Sequence, residues 1–86
     1  MELTKDKNGN SVKFGDIIRY YAPLSKKGKY MEWVVVVDNY GEIGLCDIED
    51  AIKYHPNYPQ EIIAGGAQVT DSIIVGNIKD LIYDNR

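Results

Sequence analysis

The sequence predicts a small, mainly β domain: an SH3-like or partly open β-barrel of five to six short strands with one or two short helical turns. Three observations carry this prediction. β-branched and aromatic residues are concentrated in short runs, Gly, Pro and Asn separate the runs, and apolar residues at helical spacing are confined to brief segments. With 86 residues, the chain has room for a single domain, residues 1–86, with a small core.

The first half of the chain contains a turn and two strands. An Asn-Gly pair predicts a tight turn within residues 5–10, because both residues accept positive φ angles. A strand is predicted at residues 17–22, where Pro23 ends it because proline cannot donate a ladder hydrogen bond. The strongest strand is predicted at residues 30–38, where four consecutive valines make both faces apolar. We therefore expect this strand to be central, with cover on each side.

The second half alternates brief strands with helical turns. A hairpin loop at residues 39–41 leads to a returning strand, after which acidic residues favour a short helix capped by Asp47. An irregular loop is predicted at 55–59, followed by a strand at 60–64 and a turn at 65–66. A short strand is predicted at 67–70, and another strand at 73–75 that ends near 76–77. The last predicted element is a closing helix that begins at Ile78 and that Asn77 can cap.

Composition and charge narrow the class of protein. Hydrophobic residues make up 44% and charged residues 27%, as in an ordinary globular protein. The sequence has neither a signal-peptide pattern nor an apolar run near the roughly 20 residues of a transmembrane helix, and one cysteine cannot form an internal disulfide. These features predict an intracellular protein without membrane contact. A net charge of −3 disfavours binding to nucleic acid through a broad basic face.

Residues for catalysis or metal binding are scarce. His55 and Cys46 are too few ligands for a closed zinc site, and the acidic residues at 47–50 lack the spacing of a calcium loop. Cys46 is expected to be a buried hydrophobe rather than a nucleophile. Gly65-Gly66 lacks the remainder of a phosphate-binding loop. The sequence therefore predicts a non-enzyme without cofactor or metal.

Aromatic residues supply the candidate binding surface. Seven tyrosines and one tryptophan are many for this length, and tyrosine is enriched at protein interfaces. The expected contacts with a protein partner are Tyr21, Tyr54, His55 and Tyr58. A competing interpretation, that most tyrosines cover a small core with their hydroxyls in water, stays open.

Two alternative functions also remain. A single-stranded nucleic-acid module would use the basic patch Lys26, Lys27 and Lys29, with Tyr30 and Trp33 as a stacking strip. The competing explanation of those lysines is a solvated loop tip. The other alternative is a homo-oligomeric structural protein. Both faces of the predicted valine-rich strand are apolar, and a second copy of the chain could cover one of them.

Two segments, KDKNGNSVKFGDIIRY at residues 5–20 and IIVGNI at 73–78, resemble the opening and closing motifs of the YopX family of phage and prophage proteins. The resemblance implies a mainly β protein in the cytoplasm of a bacterial host. It implies no catalytic or ligand residues, since the family has no established biochemical activity to transfer. Members typically carry a further N-terminal section that is missing here, so we expect a minimal version or one completed by dimerisation.

Overall fold

An antiparallel sheet with cover on both faces organises the chain. The computed structural model describes residues 2–21, 29–55, 62 and 64–84. The strands are β1 Thr4–Lys5, β2 Ser11–Val12, β3 Asp16–Tyr20, β4 Met31–Val37, β5 Ile43–Cys46, β6 Ala64–Gly65 and β7 Ile73–Asn77. The helices are α1 Ile48–Tyr54, a 3-10 helix Gly66–Asp71 and α2 Ile78–Asp84.

The predicted fold class is confirmed in its open form. β1 and β2 form a separate hairpin, and the other strands form one antiparallel sheet in the order β6-β5-β4-β3-β7. Within the described residues, β6 and β7 are the two edges of this sheet, so it does not close into a barrel. Short strands joined by turns and only brief helices match the sequence pattern.

β4 is the central strand, as its valines predicted. It pairs with β3 on one side and with β5 on the other. Val34, Val35 and Val36 are completely buried, although consecutive residues point to opposite faces of the sheet. Each face must therefore have its own cover.

The cover differs between the two faces. One face packs under the β1–β2 hairpin and the 3-10 helix, where Val35 and Leu45 meet Val12 and Val69. The other face packs under the two α-helices, where Val34 and Val36 meet residues of both helices. We call these the hairpin-covered face and the helix-covered face. Their cores are, respectively, Val12, Ile18, Trp33, Val35, Leu45 and Val69, and Ile17, Val34, Val36, Cys46, Ala51 and Ile78.

A buried carboxylate, Asp6, joins the hairpin to the far end of the chain. Its Oδ1 accepts the backbone N–H groups of Asn8 and Asn10 at 2.9 and 2.8 Å, which shapes the predicted turn. Its Oδ2 accepts the backbone N–H of Ile74 at 3.1 Å, a residue 68 positions away. The backbone N–H of Lys7 donates to the carbonyl of Ser72 at 2.8 Å. The turn is thus attached to edge strand β7.

A second link joins the start of β3 to the start of α2. Asp16 accepts the backbone N–H of Lys13 at 2.8 Å and the side-chain amide of Asn77 at 3.0 Å. The N–H of Ile78 donates to the carbonyl of Gly15, whose φ of +90° suits glycine. Asn77 also accepts the N–H of Lys79 at 2.9 Å, which confirms its predicted capping role.

Other local predictions were wrong or incomplete. Residues 67–70 lie in a 3-10 helix rather than a strand, and Ser72 closes it by donating to the carbonyls of Val69 and Gln68. The predicted turn at 65–66 is instead the junction of β6 and this helix. Asp47 precedes α1 but makes no side-chain capping bond. The β1–β2 hairpin was missed because two-residue strands have no readable alternation.

Glycine packing yields the first prediction. A Cβ on Gly66 would lie 2.9 Å from side-chain atoms of Ile43 and 3.2 Å from its carbonyl oxygen, whereas a Cβ on Gly65 meets nothing within 4 Å. Gly66→Ala should therefore lower the free energy of unfolding by about 1–3 kcal/mol, measured by urea denaturation. Gly65→Ala is the matched control and should change it by less than about 0.5 kcal/mol. Equal effects at both positions would contradict the packing explanation.

Asp6 yields a prediction about pH. Burial raises the pKa of Asp6, but hydrogen bonds from Asn10, Ile74 and Asn8 together lower that pKa below its ordinary value of 3.8. Because the pKa is lower in the folded state, the carboxylate stabilises the fold above its unfolded pKa, and this contribution is lost as pH falls through the folded value. Urea titrations from pH 7 to below about pH 4 should show the loss in the native protein.

Asp6→Ala provides the comparison. It removes the acceptor of three partly buried hydrogen bonds from backbone N–H groups, which should cost about 1–3 kcal/mol at neutral pH. Its stability should then fall less steeply in acid than that of the native protein. Parallel pH profiles for the two proteins would show that another carboxylate governs the acid response.

Candidate functional site

Four partly exposed side chains lie where β3 ends and β4 begins, and we call them the arginine–tyrosine cluster: Arg19, Tyr21, Tyr30 and Glu32. The strand register places Arg19 opposite Glu32. Tyr21 and Tyr30 lie one residue beyond the last paired position and are in direct contact. By strand alternation, all four belong to the helix-covered face, which Ile17 and Val34 occupy further along the same strands.

Arg19 holds the cluster together. Its Nε and Nη2 donate to Oε2 of Glu32 at 2.9 and 2.8 Å. Its guanidinium carbon lies 4.2 Å from the ring centre of Tyr30, and its Nη1 is 3.5 Å from the Tyr21 hydroxyl. The hydrogen bonds to Tyr21 and Glu32 raise the pKa of Arg19, so it stays a cation. One cation therefore orders two rings and a carboxylate.

The two tyrosine rings are both ordered and exposed. They meet edge to face with their centres 5.7 Å apart, while Tyr21 is 51% exposed and Tyr30 is 46% exposed. Ring area that is already held in place loses little conformational entropy when a partner covers it. Tyr and Arg are also residue types enriched among the strongest contacts of protein interfaces. The arrangement is suited to contact with another macromolecule.

The structure divides the predicted tyrosine surface. Tyr21 pairs with Tyr30, which the sequence had assigned to the alternative basic patch. Tyr54 is exposed at the last residue of α1, where the Lys53 ammonium lies 5.2 Å from its ring centre, and His55 follows it. Tyr58 lies outside the described residues. Tyr54 and His55 thus lie at the end of α1, whereas Tyr21 directly follows β3.

The predicted stacking strip is wrong. Trp33 is only 9% exposed and lies in the core of the hairpin-covered face, where its ring stacks on Tyr20 with the centres 6.1 Å apart. Tyr30 belongs to the opposite face, because an odd separation along a strand reverses the side-chain direction. Lys29 is exposed beside Tyr30, whereas Lys26 and Lys27 lie outside the described residues.

Arg19 and Glu32 were not predicted as site residues. Strand alternation already placed Arg19 on the same side as Tyr21, and Glu32 on the same side as Tyr30. Placing Arg19 and Tyr21 next to Tyr30 and Glu32 required the register in which β3 pairs with β4. The sequence that connects the two strands does not specify this register. The information missing from the sequence was therefore a contact between residues far apart in the chain. The one sequence signal that could have pointed to these residues was the presence of two charged side chains within predicted strands.

The reason for expecting a homo-oligomer has also changed. The two apolar faces of β4 needed cover, and the same chain supplies it on both sides through the hairpin and the helices. β4 therefore offers no exposed apolar face to a second copy. The homo-oligomeric hypothesis needs another surface.

Candidate reactive groups are sparse among the residues that the structure describes. No group of three or more His, Cys, Asp or Glu side chains is close enough there to hold a metal ion. None of the helices in the described part of the chain is long and apolar enough to cross a membrane. Cys46 is buried on the helix-covered face; burial, together with the charges of Asp47 and Asp50, raises its pKa to about 11.

Cys46 should accordingly be unreactive in the folded protein. Only the thiolate attacks disulfide reagents, and at pH 8 a thiol with this pKa is almost entirely protonated as well as inaccessible. Labelling with 5,5′-dithiobis(2-nitrobenzoic acid) should be slow in buffer and rapid in denaturing urea. Equally fast labelling under both conditions would show that the thiol is accessible and that the helices do not seal this core.

Comparison with known proteins adds no relative: no family model, curated protein or solved structure matches this chain.

Proposed function

We propose that this chain is a non-enzymatic binding module that recognises a protein partner through the arginine–tyrosine cluster. One observation carries the proposal: Tyr21 and Tyr30 are about half exposed yet held in place by Arg19. In most small domains an exposed ring is free to reorient, and ordering it costs free energy on binding. Here the contacts with Arg19 already position both rings before a partner arrives.

The charge arrangement favours protein over nucleic acid. Arg19 is bonded to Glu32, so its charge is offset at short range rather than open to a phosphate. Its guanidinium also occupies one face of the Tyr30 ring, so a base could not stack on that face. With Trp33 buried, the nucleic-acid alternative retains Lys29 and Tyr30 among the described residues as its support.

The resemblance to the YopX family suggests where such a module would act. The residues that carry the resemblance contact one another across the fold: Asp6 bonds Ile74, and Asp16 bonds Asn77. They form scaffold contacts, which explains physically why the two motifs would occur together. On this basis the proposal places the protein among phage or prophage products, in the bacterial cytoplasm, where a host protein is the expected partner.

The proposal predicts that the two clustered tyrosines are essential for partner binding. In pull-downs from bacterial lysate quantified by mass spectrometry, proteins captured by the native chain should be lost with the double variant Tyr21→Ala/Tyr30→Ala. For a purified partner, each single change should weaken binding by about 30-fold or more, the range of a strong interface contact.

Tyr40 provides the matched control. It is 91% exposed at the β4–β5 hairpin, at the other end of β4 from the cluster. Tyr40→Ala should leave the captured proteins unchanged, and Tyr54→Ala tests in the same assay whether the α1 end contributes. Capture that is no greater than on empty resin, or that is unaffected by the double variant, would contradict the proposal.

A parallel assay separates the nucleic-acid alternative. Fluorescence anisotropy with a labelled single-stranded oligonucleotide should show no binding if the cluster recognises protein. Binding at low salt that weakens steeply as salt rises and is lost with Tyr30→Ala would instead favour the nucleic-acid module.

A further inference from the structure

Tyr21 and Tyr30 are placed to react with each other as well as to meet a partner. The register of β3 on β4, continued by one residue beyond Tyr20 and Met31, sets them directly opposite each other. Their ring centres lie 5.7 Å apart, in the only contact between two tyrosine rings among the described residues. Both rings are about half exposed, so a reagent in solution reaches both.

Arg19 holds the two rings in this contact. Its Nη1 lies 3.5 Å from the hydroxyl of Tyr21, and its guanidinium carbon lies 4.2 Å from the ring centre of Tyr30. Glu32 anchors the guanidinium through Oε2, which lies 2.8 Å from Nη2. Two reacting groups that the fold keeps in contact react far faster than the same groups on separate molecules. Chemistry that couples two phenols is therefore favoured within one chain.

We propose that Tyr21 and Tyr30 form an oxidative cross-linking site, where a one-electron oxidant of phenols joins the two rings through a carbon–carbon bond. Each phenol gives up one electron and its hydroxyl proton. The two radicals form a bond between ring carbons adjacent to the oxygen-bearing carbons. The hydrogen on each bonded carbon then moves to the ring oxygen, which restores both hydroxyls. The oxidant is hydrogen peroxide acting through a haem peroxidase, and the two electrons and two protons reduce one peroxide to two waters.

The geometry of the ring pair fits the linked product. The two rings of a biphenyl are twisted about the bond that joins them, so the 60° angle between the tyrosine ring planes suits the linked state. The link ties the end of β3 to the start of β4 and closes a covalent ring through residues 21–30. Because a cross-link restricts the unfolded chain more than the folded chain, the oxidised protein should unfold at a higher urea concentration. This inference does not depend on the binding of a partner.

Oxidation of the purified chain by a haem peroxidase and hydrogen peroxide tests the site. At low micromolar concentration, where encounters between chains are infrequent, the native chain should gain the blue fluorescence of dityrosine. It should still migrate as a 9.7 kDa monomer on a denaturing gel. Mass spectrometry should show the loss of two hydrogens. After digestion with trypsin, which cleaves at the lysines between the two tyrosines, the peptides that carry Tyr21 and Tyr30 should be joined.

Phenylalanine variants identify the bond, because they keep the ring and remove the phenol. Tyr21→Phe should abolish the link although the neighbouring Tyr20 remains. Tyr20 stacks on Trp33 on the opposite face of the sheet and so cannot reach Tyr30. Tyr30→Phe should also abolish the link, whereas Tyr40→Phe is the matched control and should keep it. Absence of the link in the native chain, or a link through Tyr20 in a Tyr21→Phe variant with native circular dichroism, would overturn the proposal.

Discussion

The rest of the structure depends on the need to bury both faces of β4 away from water. Four consecutive valines point alternately to opposite sides, and each side must be removed from water. A chain this short cannot place a second sheet on each side. It uses two thin covers instead, a hairpin with a 3-10 helix on one face and two seven-residue helices on the other. Because both covers depend on β4, neither could persist without it.

Much of this architecture could be predicted from local pattern. Consecutive valines indicated a central strand, glycine and asparagine indicated turns, and the spacing of Ile78 and Leu81 indicated the closing helix. The prediction failed at residues 67–70, where alternating apolar residues suited a strand, yet Val69 alone is buried in the core. Alternation over four residues cannot distinguish a strand from one turn of helix with a single inward side chain.

The candidate site was less accessible from sequence, because it depends on register. Side-chain direction along each strand was predictable, but the contact between Arg19 and Glu32 depends on how β3 lies against β4. If the register of β3 on β4 shifted by two residues, each side chain would stay on the same face of the sheet but would lie opposite a different residue. The tyrosines could therefore be predicted one by one as binding residues, whereas the role of Arg19 in positioning them could not. The same limit applies to Asp6, whose partner Ile74 lies at the other end of the sequence.

The link between Asp6 and Ile74 also bears on how the protein folds. β7 is last among the strands, yet it pairs with β3 and receives the N-terminal turn, so the sheet has a high contact order. During synthesis, β3 has no neighbour on one side until residues 73–77 have emerged from the ribosome. A nascent or truncated chain would carry Asp6 and Asp16 without their distant partners and would expose an unpaired strand to proteases and chaperones. The pairing of β3 with β7 should accordingly form only after residues 73–77 have been synthesised.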